Sequence, residues 1–105
     1  MPTPRVTEKD LLSHAEMSLF TLSNDSSELA KRSPAQLRDK IARARDLRDR
    51  AQDLYRRQVG QTRAATGNQR GYTGRANERT RQKGEVLKGV VHRLSQARTQ
   101  QLGAA

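Results

Sequence analysis

Residues 37–43, 44–50 and 51–57 repeat one chemical pattern, and that pattern commits the stretch to a helix. Each unit opens on an apolar residue: Leu37, Ala44, Ala51. Each carries an aspartate at its third position, Asp39, Asp46 and Asp53, and an arginine at its seventh, Arg43, Arg50 and Arg57. An acid four residues before a base is the order that supports a helix on its surface. The apolar positions form a seam of Leu37, Ala44, Leu47, Ala51 and Leu54, widened by Ile41 and Tyr55. A seam recurring at this spacing belongs to a helix that needs a partner helix.

The boundaries follow from local chemistry. In Ser33-Pro34-Ala35-Gln36 the serine can cap, proline suits the first helical position and glutamine closes the capping box. Gly60 breaks the pattern, so this helix is predicted over about 34–59. A further helix over about 76–101 has a thinner seam of Ala76, Thr80, Leu87, Val90, Leu94 and Ala97, with Val86 and Val91 alongside. Lys83 intrudes on that seam, and Gly84 and Gly89 weaken the helix. The two seams match in length and predict an antiparallel helical hairpin. An N-terminal helix over about 7–22 starts with a capping box at Thr7–Asp10 and places Leu12, Ala15, Leu19 and Leu22 on one stripe. It is expected to pack across the end of the hairpin bearing Leu37, Ile41, Val91 and Leu94. A polar turn follows at 23–27, then a short helical turn at about 27–31. The fold class is all-α, a small three-helix bundle in one domain, with residues 1–6 as a flexible arm. Apolar residues make up only 32% of the 105-residue chain, and Phe20, Tyr55 and Tyr72 are its only aromatics, so thin helical seams suit it better than a thick core.

The charge is unevenly placed. Residues 1–33 carry four basic and five acidic side chains, leaving 17 basic against 6 acidic for residues 34–105. Arginine dominates, and its planar fork binds phosphate or carboxylate through two hydrogen bonds. With no cysteine there is no disulfide, thiol nucleophile or zinc–thiolate site. Neither a membrane-spanning run nor the apolar stretch of a signal peptide is present, and the expected compartment is the cytoplasm.

Three segments are candidates for function. The first is the connection at residues 60–75, GQTRAATGNQRGYTGR, which holds four glycines, three arginines and no acid. Helix–helix connections usually take about two to eight residues, so this one needs a reason. Gly71 and Gly74 would let a ligand approach the backbone, Arg63, Arg70 and Arg75 supply charge, and Tyr72 offers a stacking face. Gly71-Tyr72-Thr73-Gly74 has the GXXG spacing with which K-homology domains clamp a nucleic-acid backbone, although the sheet of that fold has no counterpart here. The plainer reading is a connector with incidental charge. The second candidate is the cationic helix faces, Arg38, Arg45, Arg48, Arg56 and Arg57 on the earlier helix and Arg79, Arg81, Lys88, Arg93 and Arg98 on the later one, which could track phosphates. A single anion patch is expected at 60–83, where Glu78 alone opposes Arg63, Arg70, Arg75, Arg79, Arg81 and Lys83. Outer arginines of the earlier helix are interleaved with aspartates and read more simply as a solvated face. The third is Leu11, Met17 and Phe20, which could meet a partner helix or a second copy of the chain, or else supply core that the other helices lack.

Catalysis has little support. His14 and His92 stand apart, without carboxylates at metal-ligand spacing, and no phosphate-loop pattern follows the glycines. The expected function is therefore non-enzymatic, without cofactor or metal: a small cationic protein gripping nucleic acid or a ribonucleoprotein. The alternative is a protein-interaction module binding an acidic protein, such as a toxin-neutralising protein, adaptor, secretion accessory or phage-encoded inhibitor. A membrane surface is a poor partner for helices lacking bulky apolar anchors. A homodimer is left open by the thin seam.

Overall fold

The capping box at Ser33 starts the longest helix of the molecule. The Gln36 backbone N–H donates to Ser33 Oγ at 3.1 Å, and the Ser33 N–H donates to Gln36 Oε1 at 2.9 Å. In the computed structural model, which describes residues 8–66 and 75–103, five helical segments follow in order. They are α1 (Glu8–Leu11), α2 (His14–Ser23), α3 (Ser26–Ala30), α4 (Pro34–Thr66) and α5 (Arg75–Gly103). The domain is all-helical, and its packing is dominated by α4 against α5. It is elongated, 56 × 29 × 21 Å. Among the described residues no helix is long and apolar enough to cross a membrane.

The seams meet as their spacing requires. Leu37, Ala44, Leu87, Val90 and Leu94 are fully buried, and Ile41, Ala51 and Val91 nearly so. Leu37, Ile41 and Ala44 share one cluster with Val90, Val91 and Leu94, whereas Ala51, further along α4, shares the next with Leu87, earlier on α5. The contact order is opposed, so the two helices run antiparallel. Small residues set their closeness: a Cβ on Gly84 would stand 3.9 Å from the Ala51 Cβ.

One boundary and one seam position differ from expectation. The helix predicted to stop at Gly60 continues to Thr66, so residues 60–66 of the connection expected over 60–75, Arg63 among them, are helical, as is Arg75 at its other end. A lone glycine costs a helix about 1 kcal/mol relative to alanine, and strong helix formers on both sides of Gly60 absorb that. Leu54, expected in the seam, is 41% exposed. An α-helix drifts by about 20° per heptad against a strict seven-residue repeat. Lys40, Leu47 and Leu54 fall on one such drifting row, which runs from half-buried at Leu47 to the surface at Leu54. The surface ion pairs also differ in detail. Asp46 holds Arg50 at 3.1 Å as the spacing predicts, but Asp39 pairs with Arg38 and Asp53 with Arg56.

The N-terminal region departs most. Instead of one helix over 7–22, α1 ends at Leu11 and α2 starts afresh at His14. Ser13 has extended backbone (φ −68°, ψ 170°) and forms a reciprocal box with Glu16. The Ser13 N–H donates to Glu16 Oε1 at 2.7 Å and the Glu16 N–H donates to Ser13 Oγ at 3.3 Å. This Ser-x-x-Glu pattern was legible and outcompetes continuation of the helix. The break turns Leu12 inward, where it is buried with Ala51 and Leu87. The proposed Thr7 cap and the arm at 1–6 lie outside the described residues. At the other end of α2, Asp25 caps α3 by accepting the Glu28 N–H at 3.2 Å.

Side chains of α5 tie this segment down along much of its length. Arg79 donates to the Asp10 carbonyl at 2.9 Å, Lys83 meets Glu16 at 2.9 Å, Arg93 donates to Ser23 Oγ at 3.1 Å, and Gln101 donates to the Leu29 carbonyl at 2.8 Å. From Arg79 to Gln101 is about 33 Å of helix. The segment thus covers the expected Leu37/Leu94 end and continues well beyond it.

Candidate anion-binding surface

Helical register divides the hairpin into two flanks. On α5, Arg79, Lys83, Arg93 and Gln101 point toward α1–α3, as their contacts show. On α4, Lys40 and Arg43 border the cleft beside α2. Residues about half a turn away face the other side, which no other described element covers. On α4 these are Arg38, Arg45, Gln52 and Arg56. On α5 they are Arg81, Lys88 and Ser95. Arg38, Arg45 and Gln52, like Arg81, Lys88 and Ser95, repeat at seven residues, and Arg56 follows one turn after Gln52, keeping each row on one side of its helix.

Arg45 and Lys88 are exposed, and neither has an ion-pair partner among the described residues. Gly84 lies level with Ala51. Four residues on, Lys88 comes level with Leu47, within about a turn of Arg45. Towards the ends of the hairpin, Arg38 sits at 3.8 Å from Asp39 and Arg56 at 3.4 Å from Asp53, both exposed pairs. Such pairs contribute only about 0–1 kcal/mol and leave the guanidinium free to take a better anion. Arg98, nearer the seam, has a buried Nε with no acceptor. Between the helices on this flank a cleft of about 360 Å³ is lined by Gln52, Tyr55, Arg56, Thr80, Arg81, Gly84 and Glu85.

The cations singled out from the sequence fall into different situations. Arg70, Gly71, Tyr72 and Gly74 lie outside the described residues. Arg63 and Arg75 are placed by their backbone alone, near the end of α4 and at the start of α5. Arg79 is exposed and engaged with the Asp10 carbonyl. Arg81 makes a forked contact with Glu78, with Nη2 at 2.6 Å from Oε1, which holds the guanidinium above its ordinary pKa and the carboxylate below its own. Lys83 is held by Glu16, an acid from α2 that lies 67 positions away and could not be matched to it from the sequence. Glu16 is buried, which by itself would raise its pKa. The Ser13 N–H and Lys83 outweigh that burial, so the carboxyl stays below the ordinary range and charged.

Leu11, Met17 and Phe20 are half-buried against the chain's own clusters. Phe20 also carries the Arg93 guanidinium 5.7 Å above its ring centroid. Sequence reasoning named Arg45 and Lys88 on the two cationic helix faces but placed the anion patch at 60–83 and did not join them on one flank. The signal was the seven-residue rows Arg38–Arg45–Gln52 and Arg81–Lys88–Ser95, but only the placement of α1–α3 shows which flank stays bare. Among the described residues no group of three or more histidines, aspartates or glutamates is placed to hold a metal ion.

No protein-family model matches this chain, and neither do any curated protein or solved structure.

Proposed function

We propose that this chain is a non-catalytic binding protein of the cytoplasm that grips nucleic acid, alone or within a ribonucleoprotein, along the bare flank of its hairpin and the basic connection at its tip. The supporting observation is the pair Arg45 and Lys88: exposed cations on neighbouring helices, close in level and without an ion-pair partner among the described residues. Arg38, Arg56 and Arg81 extend the positive rows toward both ends. In this reading α1–α3 are the third layer of a small bundle, stiffening the hairpin from behind. Contacts would be to phosphates, which fix position but carry no sequence information, so binding is sequence-tolerant.

The test is binding of nucleic-acid-free protein to short mixed DNA and RNA probes across a salt series. Retention near physiological salt with a steep log–log slope is the expected result. The double variant Arg45→Glu/Lys88→Glu should weaken binding at least tenfold and reduce the slope by about two, one for each lost phosphate contact. Arg70→Glu/Arg75→Glu tests the tip in the same way. Binding seen only at low salt, or unchanged in the first variant, overturns this reading and leaves the acidic-protein partner as the use of the charge.

A further inference from the structure

The opposite side of α4 carries a different kind of surface. A cleft of about 670 Å³ runs between α2 and the first turns of α4, lined by Ala15, Ser18, Leu19, Leu22, Arg32, Gln36, Asp39, Lys40 and Arg43. Its α2 wall is mainly apolar, from Ala15, Leu19 and Leu22. Its opposite rim is cationic, Arg32, Lys40 and Arg43, with Asp39 the one acid of the lining and Arg43 in an exposed pair with Asp46 at 3.5 Å. Apolar on one side and positive on the other, it is complementary to an amphipathic helix with leucine-like residues on one face and carboxylates on the next.

Two further observations point the same way. Arg32 Nε is buried yet has no acceptor, and the guanidinium reaches its nearest acid, Glu28, only at 3.9 Å. A buried donor without a partner is costly, and a carboxylate entering the cleft would supply the missing acceptor. Lys40, on the rim, is exposed and has no ion-pair partner among the described residues. A nucleic acid would satisfy these cations but would gain nothing from the leucine wall, whereas an acidic amphipathic helix uses both.

We infer that the α2–α4 cleft is a docking site for an acidic amphipathic helix of a partner protein, with Ala15 and Leu22, flanking the buried Leu19, receiving its apolar face and Arg32, Lys40 and Arg43 its carboxylates. This surface lies on the flank away from Arg45 and Lys88, and the inference stands independently of nucleic-acid binding. If both hold, the protein is a two-sided adaptor that joins an acidic partner helix to a polyanion.

The probe is a fluorescent 18-residue peptide of leucine and glutamate arranged as an amphipathic helix. Its controls are a scrambled peptide of identical composition and a leucine–lysine helix. The variant Ala15→Glu/Lys40→Glu/Arg43→Glu changes side chains that are all exposed, and its melting temperature is measured to confirm folding. The expected result is saturable binding of the acidic helix to the wild type, at least tenfold weaker in this variant and unchanged in Arg45→Glu/Lys88→Glu. Amide shifts on binding should concentrate at Ala15, Ser18, Leu22, Arg32 and Lys40. Four outcomes overturn the inference: no binding, equal binding of the scrambled peptide, equal binding to the cleft variant, or shifts confined to the opposite flank. Sedimentation is run alongside. A dimer of the wild type that the cleft variant dissolves would assign the cleft to a second copy of this chain and likewise overturn the partner-helix assignment. The same variant should keep its nucleic-acid binding, so failure here and failure of the proposed function register separately.

Discussion

The two flanks of the α4–α5 hairpin are built from the same residue types and use them differently. On the covered flank, α5 contributes Arg79, Lys83 and Arg93, and each reaches a named acceptor on the N-terminal segment. On the bare flank, Arg45 and Lys88 reach none among the described residues. The α5 cations that face the N-terminal segment therefore belong to the fold, whereas Arg45 and Lys88 are available to a ligand. Net charge alone does not make this distinction. What decides it is whether a short, slightly acidic segment at the N-terminus lies across a given row.

The largest effect that distinguishes the flanks should come from Glu16. Its carboxylate is 3% exposed, closes the capping box on Ser13 and neutralises Lys83 across the interface. Glu16→Ala loses the cap contact and leaves Lys83 half-buried without its partner, at a cost of roughly 2–4 kcal/mol. Arg45→Ala should stay within about 0.5 kcal/mol, as exposed substitutions usually do. Urea unfolding of both variants is the check. Equal losses would erase the division between structural and available cations.

Acid titration gives a smaller effect and isolates the charge. The folded-state pKa of Glu16 lies below its ordinary value. A carboxylate shifted in that direction contributes stability that is fully present above the unfolded pKa of about 4.3 and is lost as pH falls through the lower folded value. Thermal melts between neutral and strongly acid pH should show an acid limb that Glu16→Gln flattens. Glu78 is shifted the same way by Arg81, but that pair is much more open to solvent, so Glu78→Gln should leave the limb nearly unchanged. The reverse ranking would place the acid-sensitive contact outside the N-terminal interface.

Much of the hairpin was legible in the sequence, and where that reading failed the causes are physical. The heptads of α4, the Ser33 capping box and the seam of Leu87, Val90 and Leu94 are local or periodic signals, and they located the hairpin. Gly60 misled because glycine was given the weight of a helix terminator, whereas one glycine is a cost that long flanking runs can carry. Ser13 was read through because the leucine stripe spans it, although Ser-x-x-Glu was present. The match between Glu16 and Lys83 depends on how the N-terminal segment crosses α5, which no spacing encodes. Arg45 and Lys88 stood among the cationic faces but could not be singled out, for the same reason: which cations stay available depends on the flank α1–α3 leave uncovered.

The smallest expected effect is also the one that probes the bare flank most directly. Gly84 is buried at the helix crossing, where a Cβ would stand 3.7 Å from Gln52 Cγ and 3.9 Å from Ala51 Cβ. Both are ordinary contact distances, so packing does not require glycine there. Alanine should instead stabilise α5 by about 0.4–1 kcal/mol through reduced freedom of the unfolded chain and better helix propensity. The melting temperature should rise by a few degrees. Gly84 also lines the cleft with Tyr55, Arg56 and Arg81 on the flank assigned to nucleic acid. A stabilised Gly84→Ala protein with unchanged nucleic-acid affinity would mean that ligand contacts are confined to the cationic rows. A stabilised protein that binds nucleic acid more weakly would mean that ligand enters the cleft, with glycine kept at a cost in stability because backbone must come close to it.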